Sequence, residues 1–140
     1  MTQTLEYVGA SARKEPREIG RSIRRGFSLR CPKCGEGRLF RAYLKVADRC
    51  PVCDEDFSPQ RADDAPAYLT IFIVGHFIVA GILAGDDIWP DSPIWLVALL
   101  ACAGATLASL WLLPRVKGAL IGFQWAMRMH GFGGPQKEFI

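Results

Sequence analysis

Two stretches of this chain carry no Asp, Glu, Lys or Arg: residues 67–84 (AYLTIFIVGHFIVAGILA) and residues 94–113 (IWLVALLACAGATLASLWLL). Coiled as helices at roughly 1.5 Å per residue they reach about 27 and about 30 Å, the thickness of a hydrocarbon layer of about 30 Å. Inside lipid every backbone amide must be satisfied within its own segment, so uncharged runs of this length read as transmembrane helices rather than strands. The competing reading is a helical hairpin buried in a soluble core. What remains of the 140 residues is largely basic or rich in Gly and Pro, and is too small for a large soluble catalytic core. The net charge of +3 is too mild to argue for nucleic acid by itself.

The cations set the expected orientation, because Lys and Arg near a span are retained on the cytoplasmic side. Residues 1–66 hold thirteen of them and residues 114–140 hold four, whereas the connector GDDIWPDSP (85–93) holds none and carries Asp86, Asp87 and Asp91. Both termini are therefore expected in the cytoplasm, with the acidic turn on the far side. Trp89, Trp95 and Trp111 fall where interfacial indoles anchor a span. The first apolar stretch begins at residue 67, so no cleaved secretory signal is expected. Residues 1–29 read as a basic arm near anionic lipid, helical around 17–27 when bound, or as a solvated tail.

The strongest local signal is a pair of C-x2-C knuckles, Cys31/Cys34 and Cys50/Cys53. Each knuckle delivers two thiolates from one turn, and a hairpin-length insert returns the second knuckle to the first, which completes a tetrahedral set for zinc. Leu39, Tyr43 and Val46 are the packing candidates of that insert, whose strand-like middle is Arg38 to Val46. Gly35 and Asp54, each directly after a knuckle, are suited to a positive φ. A segment this short cannot bury enough surface to fold unaided, so metal is expected to supply the missing core. With all four positions filled by sulfur no site is left open for hydrolytic chemistry, and the zinc is expected to be structural. Iron in a rubredoxin-like pair of knuckles is compatible with the same four ligands. A thiol redox centre is suggested by Cys-Pro-Lys-Cys but lacks the helix start of a thioredoxin-type fold, and disulfides are disfavoured in the cytoplasm. Arg30, Lys33, Arg38, Arg41, Lys45 and Arg49 surround the ribbon. With Phe40 and Tyr43 they suggest a nucleic-acid patch, and against that stands the simpler role of offsetting a tetrathiolate's charge and favouring an anionic membrane.

In the linker, Asp63 or Asp64 is placed to cap a helix with Pro66 in its first turn. His76 lies at the midpoint of the first span and Cys102 near the middle of the second. An interhelical hydrogen bond for the histidine and a filler role for the cysteine are expected, with a transient copper or haem site as the alternative. Gly81 with Gly85, Ala101 with Ala105 and Gly104 with Ala108 offer small residues for close helix packing. Pro114 is expected to end the second span. The following RVKGALIGFQWAMRMHGF, with Lys117, Gln124 and Arg128 on a polar stripe and Val116, Leu120, Phe123, Trp125 and Met127 apolar, reads as an interfacial amphipathic helix lying on the cytoplasmic leaflet or against a partner, and the run Met127, Arg128, Met129, His130 is too short to argue for copper delivery.

The strings LRCPKCGEGRLFRAYLKVADRCPVC, FSPQRADDAPAYLTIFIVGH and LPRVKGALIGFQWAMRMHGF, in that order, resemble a bacterial membrane family called domain of unknown function 983, over about residues 29–133. The resemblance implies Cys31, Cys34, Cys50 and Cys53 as metal ligands and leaves Asp63, Asp64 and His76 as polar positions of unassigned role. Members of that family tend, in alphaproteobacteria, to be encoded beside haem-copper oxidase subunits and assembly factors. It therefore implies an accessory or assembly role toward a respiratory complex, cytochrome c oxidase first, with oxidase subunits or assembly factors and membrane lipid as partners. No nucleophile, base pair or phosphate loop is visible, so enzymatic activity is not expected. The fold expected is a mainly α membrane protein of the bacterial inner membrane, a two-helix transmembrane hairpin with a cytoplasmic zinc ribbon. Its segments are a basic arm (1–29), a zinc-ribbon-like module (30–58), a linker (59–66), a first span (67–84), an acidic connector (85–93), a second span (94–113) and an interfacial amphipathic helix with tail (114–140). The rival functions are membrane metal handling or thiol redox chemistry through His76, Cys102 or the cysteine pairs, and nucleic-acid or ribosome tethering.

Overall fold

The structure is a computed structural model that describes residues 16–132; the first half of the basic arm (1–15) and the end of the tail (133–140) lie outside the described residues. In chain order the elements are helix α1 (Ile19–Phe27), strands β1 (Phe40–Ala42) and β2 (Lys45–Val46), helices α2 (Ala65–Ile88) and α3 (Ile94–Ala126), and a 3-10 turn at Met129–Gly131. The two strands pair antiparallel around Tyr43 and Leu44, and α2 and α3 fold back on each other as a hairpin.

Both α2 and α3, at 24 and 33 residues, are long and apolar enough to cross a membrane, and their most apolar stretches are only 11% and 0% buried. A soluble core hides such helices; these present an apolar surface that only lipid or another apolar partner covers. On α2 a stripe at four-residue spacing, Pro66, Thr70 and Val74, is buried. Ile78 extends it and meets Gly104 at 3.6 Å from where a Cβ would stand. Further along the helices part. A Cβ on Gly81 or Gly85 would meet nothing within 4 Å, and both glycines border a cavity of about 650 Å³ between the helices, so the close packing expected there is not made within the hairpin. Asp86 and Asp87 belong to the last turn of α2, which confines the connector to residues 89–93. Asp64 occupies the N-cap position but its side chain caps nothing. Its backbone is helical (φ −94°, ψ −18°), whereas a capping side chain reaches the N2 or N3 amide from an extended residue.

Pro114 does not end the second apolar helix. It lies inside α3, which continues to Ala126 and, at about 1.5 Å per residue, outruns a hydrocarbon layer by about 20 Å. Every buried residue of α3 falls at or after Pro114: Val116, Gly118, Ile121, Gly122, Gln124, Trp125 and Ala126 follow it. The stretch expected to be a separate interfacial helix is thus the C-terminal end of α3, and protein covers it. Proline is tolerated there for a visible reason. It lacks the amide that would bond the Leu110 carbonyl one turn back, and the Tyr43 hydroxyl, 67 residues away in sequence, donates to that carbonyl at 2.9 Å.

Helix α1 lies along this C-terminal end. A Cβ on Gly26 would collide with the Gly118 carbonyl, one on Gly118 with the Gly26 carbonyl, and one on Gly122 with the Ser22 carbonyl. The small-residue spacing that lets two helix backbones touch is therefore used by Ser22/Gly26 against Gly118/Gly122. The residues expected to form a polar stripe serve as pins to the head. Lys117 Nζ donates to the Leu44 carbonyl at 2.8 Å, and Gln124, buried, exchanges two hydrogen bonds with the Arg61 backbone. Arg128 lies past the helix end with φ of 56°.

Tyr43→Phe is expected to lower the unfolding free energy of the detergent-solubilised protein by about 1 kcal/mol. In a Pro114→Ala background the same change is expected to cost close to nothing, because the restored amide bonds Leu110 itself. Thermal unfolding followed by circular dichroism checks this; an equal loss in both backgrounds would contradict the capping role.

Candidate metal centre

The two knuckles have the same local build, and the sequence shows why. Cys31 and Cys50 are each followed by a proline that fixes φ. The Gly35 amide bonds the Cys31 carbonyl at 2.9 Å and the Asp54 amide bonds the Cys50 carbonyl at 3.0 Å. Both closing residues take the positive φ expected of them, 77° at Gly35 and 56° at Asp54. Gly37 has a different reason to lack a side chain: a Cβ there would run into Cys50 Sγ. Its amide points at Cys34 Sγ, 3.4 Å away.

These turns bring Cys31, Cys34, Cys50 and Cys53 together with all four Sγ atoms within 4.8 Å of one another. Cys31 and Cys53 sulfurs are 3.7 Å apart, as are those of Cys34 and Cys50. The edge of a tetrahedron of sulfurs around zinc at about 2.3 Å is about 3.8 Å, and a disulfide would need about 2.05 Å. The four cysteines are free thiols whose arrangement fits a tetrahedral metal ion such as zinc. Four sulfurs fill the coordination shell, so the centre is of the closed, structural kind.

Burial governs the protonation of these thiols. It pushes Cys31 far above the ordinary thiol range, the amides of Cys34 and Lys33 offsetting it only in part, and it raises Cys53 as well. At Cys34 burial also opposes ionisation, but the amides of Gly37 and Glu36 outweigh it and the thiol is lowered to about 7. Cys34 thus ionises more readily than Cys31 and Cys53, and a bound dication is what allows those two to ionise.

The centre is fastened to both helices at its base. Cys31 and Cys50 share one buried cluster with Leu39, Phe57, Ile121, Trp125 and Phe132. Arg25 of α1 donates to the carbonyls of Pro32 and Lys33 at 3.1 and 2.7 Å, gripping the first knuckle. Glu55, beside the second, accepts from Lys33 Nζ and from Trp125 Nε1, both at 2.8 Å. Burial raises its pKa, but those two donors outweigh it and the net shift is downward. Its contribution to stability is therefore present above the ordinary carboxylate pKa and is lost as pH falls through the lowered value. Trp125, read from sequence as one apolar position of an interfacial helix, is an anchor of the head, with the Arg17 guanidinium 4.0 Å over its ring.

The other singled-out residues stand apart. His76 does not reach α3: it is exposed, its Nδ1 bonds the Phe72 carbonyl of its own helix at 2.7 Å, and its ring lies against Phe72. Cys102 is exposed on α3, and Asp63 and Asp64 are exposed in the linker. Among the described residues none of these four joins a metal-binding cluster. Of the basic residues around the head, Lys33 pairs with Glu55, Arg49 with Asp54 and, more distantly, Arg41 with Asp48.

Comparison with protein families matches residues 40–125 to the family described as protein of unknown function (DUF983). The matched span contains Cys50, Cys53 and the greater part of the two apolar helices; Cys31 and Cys34 precede it. No curated protein and no solved structure matches the chain.

Purified protein is expected to contain one zinc per chain by elemental analysis, and Cys50→Ser to lose the metal together with the fold of the head. Full zinc occupancy in that variant would contradict a four-sulfur site. Because Cys31 and Cys53 are protonated before uptake, zinc binding at pH 7 is expected to release more than one proton per metal and to weaken on acidification. Calorimetry in buffers of different ionisation enthalpy reads that number, and a heat independent of buffer would count against it.

Proposed function

We propose that this chain, which belongs to the DUF983 family, is a membrane-anchored association protein. A zinc-stapled head at the cytoplasmic face of a bacterial inner membrane is carried by two spans and docks as an accessory subunit or assembly factor on a respiratory complex, with cytochrome c oxidase the leading partner. The observation that carries the association reading is the direction of His76. An imidazole at mid-span that bonds only its own helix and faces outward is costly against lipid and is relieved by a polar group of a neighbouring membrane protein. The closed metal centre agrees with this, since it offers no reacting position and makes the head a rigid shape. The orientation is supported by the excess of Lys and Arg before the first span and by the free thiols, which persist in a reducing compartment. The oxidase reading is supported by the gene neighbourhoods of the family that the chain resembles.

Affinity purification of the tagged, full-length protein from native membranes in mild detergent tests the proposal. Oxidase subunits or assembly factors are expected to co-purify, and His76→Leu is expected to reduce their recovery severalfold while leaving the zinc content unchanged. A stable monomer with no co-purifying membrane protein would overturn the association reading; recovery of a different complex would overturn the oxidase reading alone.

A further inference from the structure

A cavity of about 710 Å³ opens where the head meets α3, with Arg30, Arg38, Arg41, Glu36, Tyr43 and Pro114 in its wall. Three arginines and a single glutamate thus line it. Arg30 and Arg38 are direct partners in an antiparallel bridge, which places two like charges opposite each other, an arrangement that destabilises a β pair unless an anion lies between them. No ion pair holds either of them among the described residues, and the only one made by Arg41 is a 3.9 Å contact between exposed groups. The backbone geometry therefore assembles positive charge that, among the described residues, only the distant Arg41–Asp48 contact offsets.

The level of the cavity identifies the anion. Tyr43, in its wall, bonds the Leu110 carbonyl, and Pro114, also in its wall, marks the point where α3 passes from exposed apolar surface to buried head. One turn back, the exposed Trp111 ring carries the Arg115 guanidinium at 3.9 Å, a pairing suited to the headgroup layer. A phosphate at this depth belongs to a lipid whose acyl chains run along the apolar part of α3, and Phe40 and Leu44 give the cavity an apolar wall beside its charges. We propose that this cavity binds the phosphodiester headgroup of an anionic phospholipid, with Arg30 and Arg38 as the principal ligands. Guanidinium groups hold phosphate oxygens in a two-pronged geometry that a free-standing lysine does not match. The inference rests on reading α2 and α3 as membrane spans.

The test uses full-length, zinc-loaded protein reconstituted in phosphatidylcholine with and without phosphatidylglycerol. Resistance of the phosphatidylcholine-reconstituted protein to alkaline extraction tests the spans independently of lipid choice. Native mass spectrometry of the released protein then reads retained lipid. Phosphatidylglycerol is expected to be retained over phosphatidylcholine, and Arg30→Gln with Arg38→Gln to cut that preference roughly 25-fold, zinc content being unchanged. Arg21→Gln with Arg24→Gln, an equal loss of charge on α1 outside the cavity, is expected to leave it intact. Should the first pair lose zinc, Arg38→Lys alone is expected to reduce the preference severalfold. Equal retention of the two lipids, an equal loss with the α1 pair, an unaffected Arg38→Lys, or displacement of the lipid by millimolar inorganic phosphate would each overturn the proposal.

Discussion

Four sulfurs held within 4.8 Å of one another cannot all be thiolates unless a cation stands between them, because like charges at that separation in a partly buried site repel strongly. That constraint shapes everything around the knuckles. Gly35 and Asp54 take left-handed backbone to close the turns, the Gly37 amide turns toward Cys34 Sγ, and Gly37 has no room for a side chain beside Cys50. So small a module has little core of its own. The metal supplies part of what is missing, and the structure shows where the rest comes from: the buried cluster runs from Cys31 and Cys50 through Leu39 and Phe57 to Ile121 and Trp125 of α3.

The head is consequently not a tethered bead. A single helix, α3, is apolar and exposed up to Pro114 and buried in the head beyond it, so the span and the metal module share one rigid axis. Contacts along that axis come from different parts of the chain: Tyr43 and Leu44 at the hairpin tip, Arg61 of the linker and Glu55 beside the second knuckle. Helix α1 completes the enclosure, backbone against backbone, at Gly26–Gly118 and Ser22–Gly122. Whatever holds the two apolar helices therefore also fixes the direction in which the head points.

The apolar runs, the paired knuckles and the positive φ at Gly35 and Asp54 were legible in the sequence because each is decided locally, by a charge-free stretch or by the residue type at one turn position. The course of α3 was not. Proline ordinarily stops a helix by removing one hydrogen bond, and the hydroxyl that replaces that bond comes from Tyr43, which nothing near Pro114 announces. The glycines at 118 and 122 could have been matched with Ser22 and Gly26, which share their four-residue spacing, but equivalent patterns inside the spans drew the packing expectation there. His76 illustrates another limit. A helix that is apolar on all sides has no periodicity to tell its inner face from its outer one, so the direction of a lone polar residue within it depends on the tertiary arrangement.

The most direct test of the account is hydrogen–deuterium exchange on the full-length protein in detergent, before and after a chelator strips the metal. A shared core predicts that residues 30–58 and 114–126 lose protection together while residues 94–113 keep theirs. A head that stays protected without metal, or one that opens while residues 114–126 remain as slow to exchange as before, would contradict it.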